Sequence, residues 1–181
     1  MHIHTDIVIL GGGIAALQAA RKLSARYNVH IITKGALTTS SSYIAQGGVA
    51  AVISNQDHFQ LHIEDTLIAG ENHHYEPNVS TLICNGAHIV NSMLVQGFEA
   101  DCHPDGSITL GLEGAHRRNR IVHAGGDATG RHLIEYLLND LPDNVIVHEH
   151  EFAYELILNN NGDCCGVFVR SHEGLKTYTA S

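Results

Sequence analysis

The chain has 181 residues, 44% apolar and 16% charged, with a formal charge of −9. That length and balance suit a globular domain with a true core rather than a disordered polymer. The negative charge argues against a nucleic-acid partner, which needs a surplus of Lys and Arg, and no apolar run approaches the roughly 20 residues that span a bilayer.

The first segment reads as strand, tight turn, helix, strand. Ile7 to Leu10 form a short apolar run of the kind buried in a parallel sheet. Ile14, Leu17, Ala20 and Leu23 recur at helical spacing, and Val29 to Ile32 form a second β-branched run. This is a βαβ unit with an expected right-handed crossover. "KGALTTSSSYIAQGGVAAV" follows, residues 34–52, with one charge and three consecutive serines. It reads as a flexible linker or as backbone kept bare for a large ligand.

Phe59, Ile63 and Leu67 lie four apart, which predicts a helix over 57–69. Val79, Leu82, Ile83, Ala87, Val90 and Leu94 share one face of a second helix, which Gly97 is placed to end. Residues 104–130 are Gly-rich and irregular, with a turn at Asp105-Gly106. "TGRHLIEYLLNDL" predicts a further helix, stopped by Pro142. The remainder reads as strands, the last two joined by a hairpin-like turn at Asn160 to Gly162. The chain shows no internal repeat and no linker between compositional halves.

"GGGIAA" matches G-x-G-x-x-A at Gly11, Gly13 and Ala16. Gly11 permits the strand-to-helix turn, Gly13 lets a pyrophosphate approach the backbone, and Ala16 keeps helix and sheet close. Strand before and helix after meet the context that a dinucleotide site requires. One position departs: Thr33-Lys34 stands where Asp or Glu usually receives the ribose hydroxyls. On these residues alone NAD, NADP and FAD all remain open.

Other chemistry is weakly signalled. Cys84, Cys102, Cys164 and Cys165 form no C-x-x-C pair. His148 and His150 would share one face of a strand but lack a third ligand, so no metal site is expected. The N-terminus has no leader pattern, and the expected compartment is the cytoplasm.

"SSSYIAQGGVAAV", "HIEDTLIAG", "LEGAH" and "HAGGDATG" occur in an order and spacing that resemble the succinate dehydrogenase/fumarate reductase flavoprotein family. The closest likeness is to its branch that oxidises L-aspartate. The resemblance runs from Asp6 to about Val169. It implies an α/β, Rossmann-like FAD-binding domain with a central parallel sheet and a small β excursion near the C-terminus. It also implies that residues 1–181 are the N-terminal part of that domain. A capping domain with the catalytic arginine and a helical domain would lie outside them, so no catalytic residue is expected within the chain and the isolated segment is expected to be inactive.

By the same resemblance Gly11, Gly12, Gly13, Ile14 and Ala15 would lie along the FAD pyrophosphate. Lys34 matches a lysine of the family pattern, which removes the pull toward NADP. Ser41, Ser42, Tyr43, Ile44, Ala45, Gln46, Gly47 and Gly48 would wrap the flavin and ribityl chain, and backbone near Ala153 would meet the adenine. Respiratory members carry a covalently bonded histidine where this chain has Ser41, which implies non-covalent FAD. Glu113 would pair with the ammonium of L-aspartate; the alternative is a solvated loop charge. His116 and His123 read as structural or site-lining, Asp127 and Thr129 as a helix-start pair. Arg117, Arg118 and Arg120 read as carboxylate ligands or a solvated loop. The implied reaction is oxidation of L-aspartate to iminoaspartate with O2 or fumarate as acceptor. That step opens bacterial NAD synthesis, with quinolinate synthase downstream. A fumarate-reducing or succinate-oxidising flavoprotein and a non-catalytic flavin-binding module are the rival readings.

Overall fold

The computed structural model describes residues 1–181. In chain order the elements are β1 (His2–Thr5), β2 (Ile7–Leu10), α1 (Ile14–Leu23), β3 (Val29–Ile32), a 3-10 turn (Leu37–Thr39), β4 (Val49–Ala50), α2 (Phe59–Ala69), α3 (Glu76–Val95), β5 (Leu110–Gly111), β6 (Ile121–Val122), α4 (Thr129–Asn139), β7 (Val145–His148), β8 (Phe152–Leu158), β9 (Cys164–Ser171) and β10 (Gly174–Ala180). They divide into two units, Met1–Ile44 with Leu133–Ser181, and Ala45–His132.

In the first unit the expected βαβ run is present. β3 lies between β2 and β7 in a parallel sheet, with Ile7 opposite Val29 and Val29 opposite Val145. Val29, Ile31 and Ile32 are buried there, as a central strand requires, and α1 buries Leu17 and Ala20. A second sheet has the order β1-β10-β9-β8, an antiparallel meander extended by β1 running parallel to β10. β1 escaped the sequence reading because "HIHT" carries two polar histidines and only one large apolar residue. The expected hairpin turn is held by Asn159, whose side-chain oxygen accepts from the Asn161 and Asp163 N–H groups.

Ile32 from the parallel sheet packs with Val167, Val169 and Tyr178 from the meander, and Ile3, Val8 and Ala153 border them. The buried Tyr178 hydroxyl donates to Glu151 Oε2 at 2.7 Å, and Lys176 Nζ donates to Oε1 at 2.7 Å. Burial and this carboxylate push the tyrosine well above its ordinary value. Beside it His148 Nε2 meets His30 Nδ1 at 2.9 Å, with the rings stacked. β7 ends at His148 and His150 has φ +59°, so the two rings of "HEH" do not share one face of a strand as expected.

The second unit combines α2 and α3 with a small antiparallel sheet of order β4-β6-β5. Strands of two residues are too short to show alternation, which is why the sequence read this region as irregular. α2 starts at Phe59, two residues later than expected, where His58 Nδ1 accepts from Gln60 N–H. α3 starts earlier than its apolar stripe, with Pro77 in its first turn. It ends as expected: Gly97 has φ +97°, and Phe98 N–H reaches back to the Met93 carbonyl at 2.9 Å.

"HRRNR" is not merely a solvated loop: Arg120 is buried, and Arg117, half exposed, is ion-paired. Arg120 is 0% exposed. It donates to both oxygens of Asp57 at 2.8 Å and to Asp65 Oδ2 at 2.7 Å. Arg117 also pairs with Asp65 and, at 2.8 Å, with Glu64. Burial pushes the Asp65 carboxyl up, but hydrogen bonds from the Arg117 backbone and from both guanidinium groups outweigh it and hold it at about 2.

Two outcomes follow from these buried charges. Arg120→Met leaves Asp57 and Asp65 buried and short of a cation, and is expected to cost about 3–5 kcal/mol in chemical denaturation. The Asp65 contribution is present above the unfolded carboxylate value of about 3.9 and fades as pH falls toward 2, so the variant should lose much of its deficit in that window. His30 and His148 have the opposite chemistry. Burial, and for His30 the neighbouring ring, lowers both below the ordinary value near 6.5. The unfolded chain then binds more protons, so stability should fall as pH drops below about 6.5, read as a lower urea midpoint at pH 5.5 than at pH 7.5. Replacing both histidines with glutamine should reduce that slope, while His62, lowered by its burial and by the Arg120 charge, keeps part of it.

Candidate functional site

The turn between β2 and α1 is built from backbone. Gly11 has φ +106°, a conformation that a side chain disfavours, and its N–H donates to the Ile32 carbonyl at 2.8 Å. Gly13 caps α1 without a side-chain bond, and no acidic residue occupies the first helical turn. The Leu17 N–H closes onto the Gly13 carbonyl, which leaves the N–H groups of Ile14, Ala15 and Ala16 without an intrahelical acceptor. Ile14 donates to Ser42 Oγ at 3.2 Å. A Cβ added at Gly13 would stand 3.0 Å from that oxygen, so a side chain would fill the cradle. Bare backbone, an unneutralised helix dipole and free donors suit a diphosphate.

The segment from Thr33 to Ile44 folds back beside this turn. Thr33 N–H donates to the His148 carbonyl at 3.0 Å, and Leu37 N–H donates to Glu149 Oε1 at 2.6 Å. The Leu37 side chain covers Gly12, where a Cβ would collide with it. Tyr43 is held by Ser40 Oγ at its N–H and donates its hydroxyl to Glu135 at 3.0 Å. Lys34, Ser41 and Ala15 are exposed, and Ile44 is 67% exposed. This stretch is therefore not a loose linker: it is tied to β7, to the segment after it, to α1 and to α4. Ala153 pairs with Val169 near the start of β8, its side chain against the core.

In the second unit the Ala45 carbonyl accepts from Gly130 N–H at 3.0 Å, and Ala45, Gln46 and Gly47 are exposed. Gly48 is bare for a packing reason. A Cβ there would meet the Val122 carbonyl at 2.6 Å and the His123 ring at 2.9 Å. "HAGGD" is pinned by Asp101, whose carboxylate accepts from Gly125 and Gly126 N–H at 2.9 and 3.0 Å. Thr129 is the first residue of α4, and its buried hydroxyl accepts from Ala124 N–H at 3.2 Å, bracing the same loop.

Glu113 lies in the loop after β5, exposed and without an ion pair; its carbonyl accepts from His116 N–H. His116 Nδ1 receives Arg120 Nη1 at 3.0 Å, a structural contact. Of the three arginines considered as carboxylate ligands, only Arg118 is free of an ion pair. It lines a polar cleft of about 400 Å³ with His103 and Asn119. The sequence reading passed over Asp101 and Glu149, because a lone carboxylate bonding a distant backbone leaves no periodicity or motif to detect.

A family model described as FAD binding domain matches residues 6–181. The chain is 42% identical over 168 residues to L-aspartate oxidase of Bacillus subtilis, a match covering 93% of this chain and 32% of that protein. Against L-aspartate oxidase of Acinetobacter baylyi it is 34% identical over 185 residues, covering 97% and 34%. The structure of Mycobacterium smegmatis Sdh1 in complex with UQ1 superposes with a TM-score of 0.89 at 25% identity, covering 99% of this chain and 33% of that one. E. coli quinol fumarate reductase FrdA superposes with a TM-score of 0.90 at 23% identity, covering 99% and 32%, a likeness of fold. The chain spans about a third of the length of the curated relatives it matches. No helix is long and apolar enough to cross a membrane. The α/β fold is that of the succinate dehydrogenase/fumarate reductase flavoproteins, and with a family model running along nearly all of it the chain belongs to the FAD binding domain family.

Proposed function

We propose that the chain is the N-terminal part of the FAD-binding domain of an L-aspartate oxidase. On this reading a capping domain and a helical domain lie outside residues 1–181. The observation that carries FAD binding is the uncapped, acid-free N-terminus of α1 behind Gly11 and Gly13. The choice of substrate is supported by 42% identity to the Bacillus subtilis L-aspartate oxidase.

FAD, when bound, supplies a two-electron acceptor for oxidation of the substrate Cα–N bond. The backbone of the turn from Gly11 to Ala15 and the α1 dipole would hold its diphosphate, the Ile14 N–H being already engaged by Ser42 Oγ, with Lys34 adding positive charge. Ser42 and Tyr43 fix the loop, and backbone from Ser41 to Gly48 offers small groups to a flat ring. Backbone near Ala153 lies toward the adenine. Ser41 has no imidazole to bond the flavin, so the cofactor is dissociable. Glu113, unpaired and exposed, attracts the substrate ammonium and repels a plain dicarboxylate. Arg117 and Arg120 are committed to Glu64, Asp57 and Asp65, so the cations for the two substrate carboxylates come chiefly from the capping domain. The product is iminoaspartate, O2 or fumarate takes the electrons, and quinolinate synthase in NAD synthesis is the expected consumer. The assay that tests this is H2O2 release by the full-length protein with FAD, expected with L-aspartate and absent with succinate. Turnover of succinate alone would instead favour the succinate-oxidising class.

Two substitutions probe the parts separately. Gly13→Val places a branched side chain against Ser42 and is expected to weaken FAD binding at least about tenfold by flavin fluorescence titration. Glu113→Gln should lower kcat/KM for L-aspartate by about 10- to 100-fold, the range for losing a hydrogen bond to a charged group, with FAD affinity unchanged. An unaltered preference for aspartate over fumarate would remove Glu113 from the substrate site.

A further inference from the structure

We propose that Glu149 is a positioning residue for the cofactor loop. It caps the 3-10 turn from 112 residues away and thereby holds Leu37 over Gly12. The inference rests on the reading of this turn as an FAD site, and it concerns a residue that neither the glycine fingerprint nor the serine-rich motif includes.

The local sequence leaves the turn without a cap. The 3-10 turn starts at Leu37 after Ala36, and no side chain near it caps the first N–H. Leu37 is only 6% exposed, so an orphaned N–H there could not be fully repaid by water. The residues before it, Lys34, Gly35 and Ala36, carry no side-chain acceptor. Glu149 Oε1 supplies one at 2.6 Å, within the short range expected of a charge-assisted bond.

Glu149 is itself held in place. Thr33 N–H donates to the His148 carbonyl and Glu151 N–H donates to the Thr33 carbonyl, both at 3.0 Å. These two bonds bracket Glu149 on either side and fix its backbone to the end of β3. The carboxylate therefore reaches Leu37 from a rigid base. Its side chain is exposed and makes no ion pair, so neither core burial nor charge pairing accounts for its placement. From Leu37 the effect passes to Gly12, which its side chain covers, and along the loop to Ser42, which receives the Ile14 N–H.

The test uses the full-length protein and two variants. Glu149→Ala removes the acceptor; Glu149→Gln keeps a side-chain carbonyl that can still accept. Because Glu149 is exposed, neither substitution opens the core. Hydrogen exchange by mass spectrometry should show about tenfold faster uptake in peptides covering 34–44 for Glu149→Ala, with β8 to β10 unchanged, and the FAD dissociation constant should rise about tenfold. Glu149→Gln should stay within about threefold of wild type in both. Wild-type exchange at 34–44 in Glu149→Ala, or equal impairment of the two variants, overturns the proposal. A wild-type protein that does not bind FAD defeats the cofactor reading instead, while the exchange comparison still decides the role of Glu149.

Discussion

A negatively charged group can be held at the start of α1 only if backbone N–H groups reach it without competing side chains, and much of the first unit serves that condition. Gly11 turns the chain with φ +106°, and Gly13 starts the helix without a capping side chain. The first turn contains no carboxylate to neutralise the dipole. A turn so bare has little to pack with, so its position must come from neighbours. Leu37 covers Gly12, Ser42 engages Ile14, and β3 anchors Gly11 through the Ile32 carbonyl.

The two units are held by different physics. The first is an apolar contact between two sheets, centred on Ile32, Val167, Val169 and Tyr178, with Glu151 satisfying the Tyr178 hydroxyl. The second has sheet strands of only two residues, and it ties α2 to the loop before β6 through Arg120, Asp57 and Asp65. Such a buried cluster is costly to break because each remaining charge would lie unpaired. The same commitment leaves the Arg120 guanidinium with no free face for a ligand.

Glycine carries different meanings along the chain. Gly13 is bare toward the cradle at the start of α1, and Gly48 is bare because β6 presses on it. Gly125 and Gly126 take positive φ so that their N–H groups can both reach Asp101. One residue type in one kind of motif thus answers to an open helix start, sheet packing and loop closure.

Local patterns were enough to read β2, α1, β3, the α2 and α3 helices, the Gly97 stop and the Asn160 to Gly162 turn. Each depends on periodicity or on a residue whose conformational preference is intrinsic. The glycine spacing likewise marked the turn between β2 and α1. What tertiary structure alone decided is where lone polar groups find partners. Nothing around "HRRNR" reveals that Arg120 is fully buried between Asp57 and Asp65, residues 63 and 55 positions away. Nothing near Ala36 reveals that Glu149 caps the following turn, and β1 becomes a strand only because β10 returns beside it. A hydrogen bond or ion pair between distant residues depends on how the chain closes, and closure leaves no trace in spacing along the sequence.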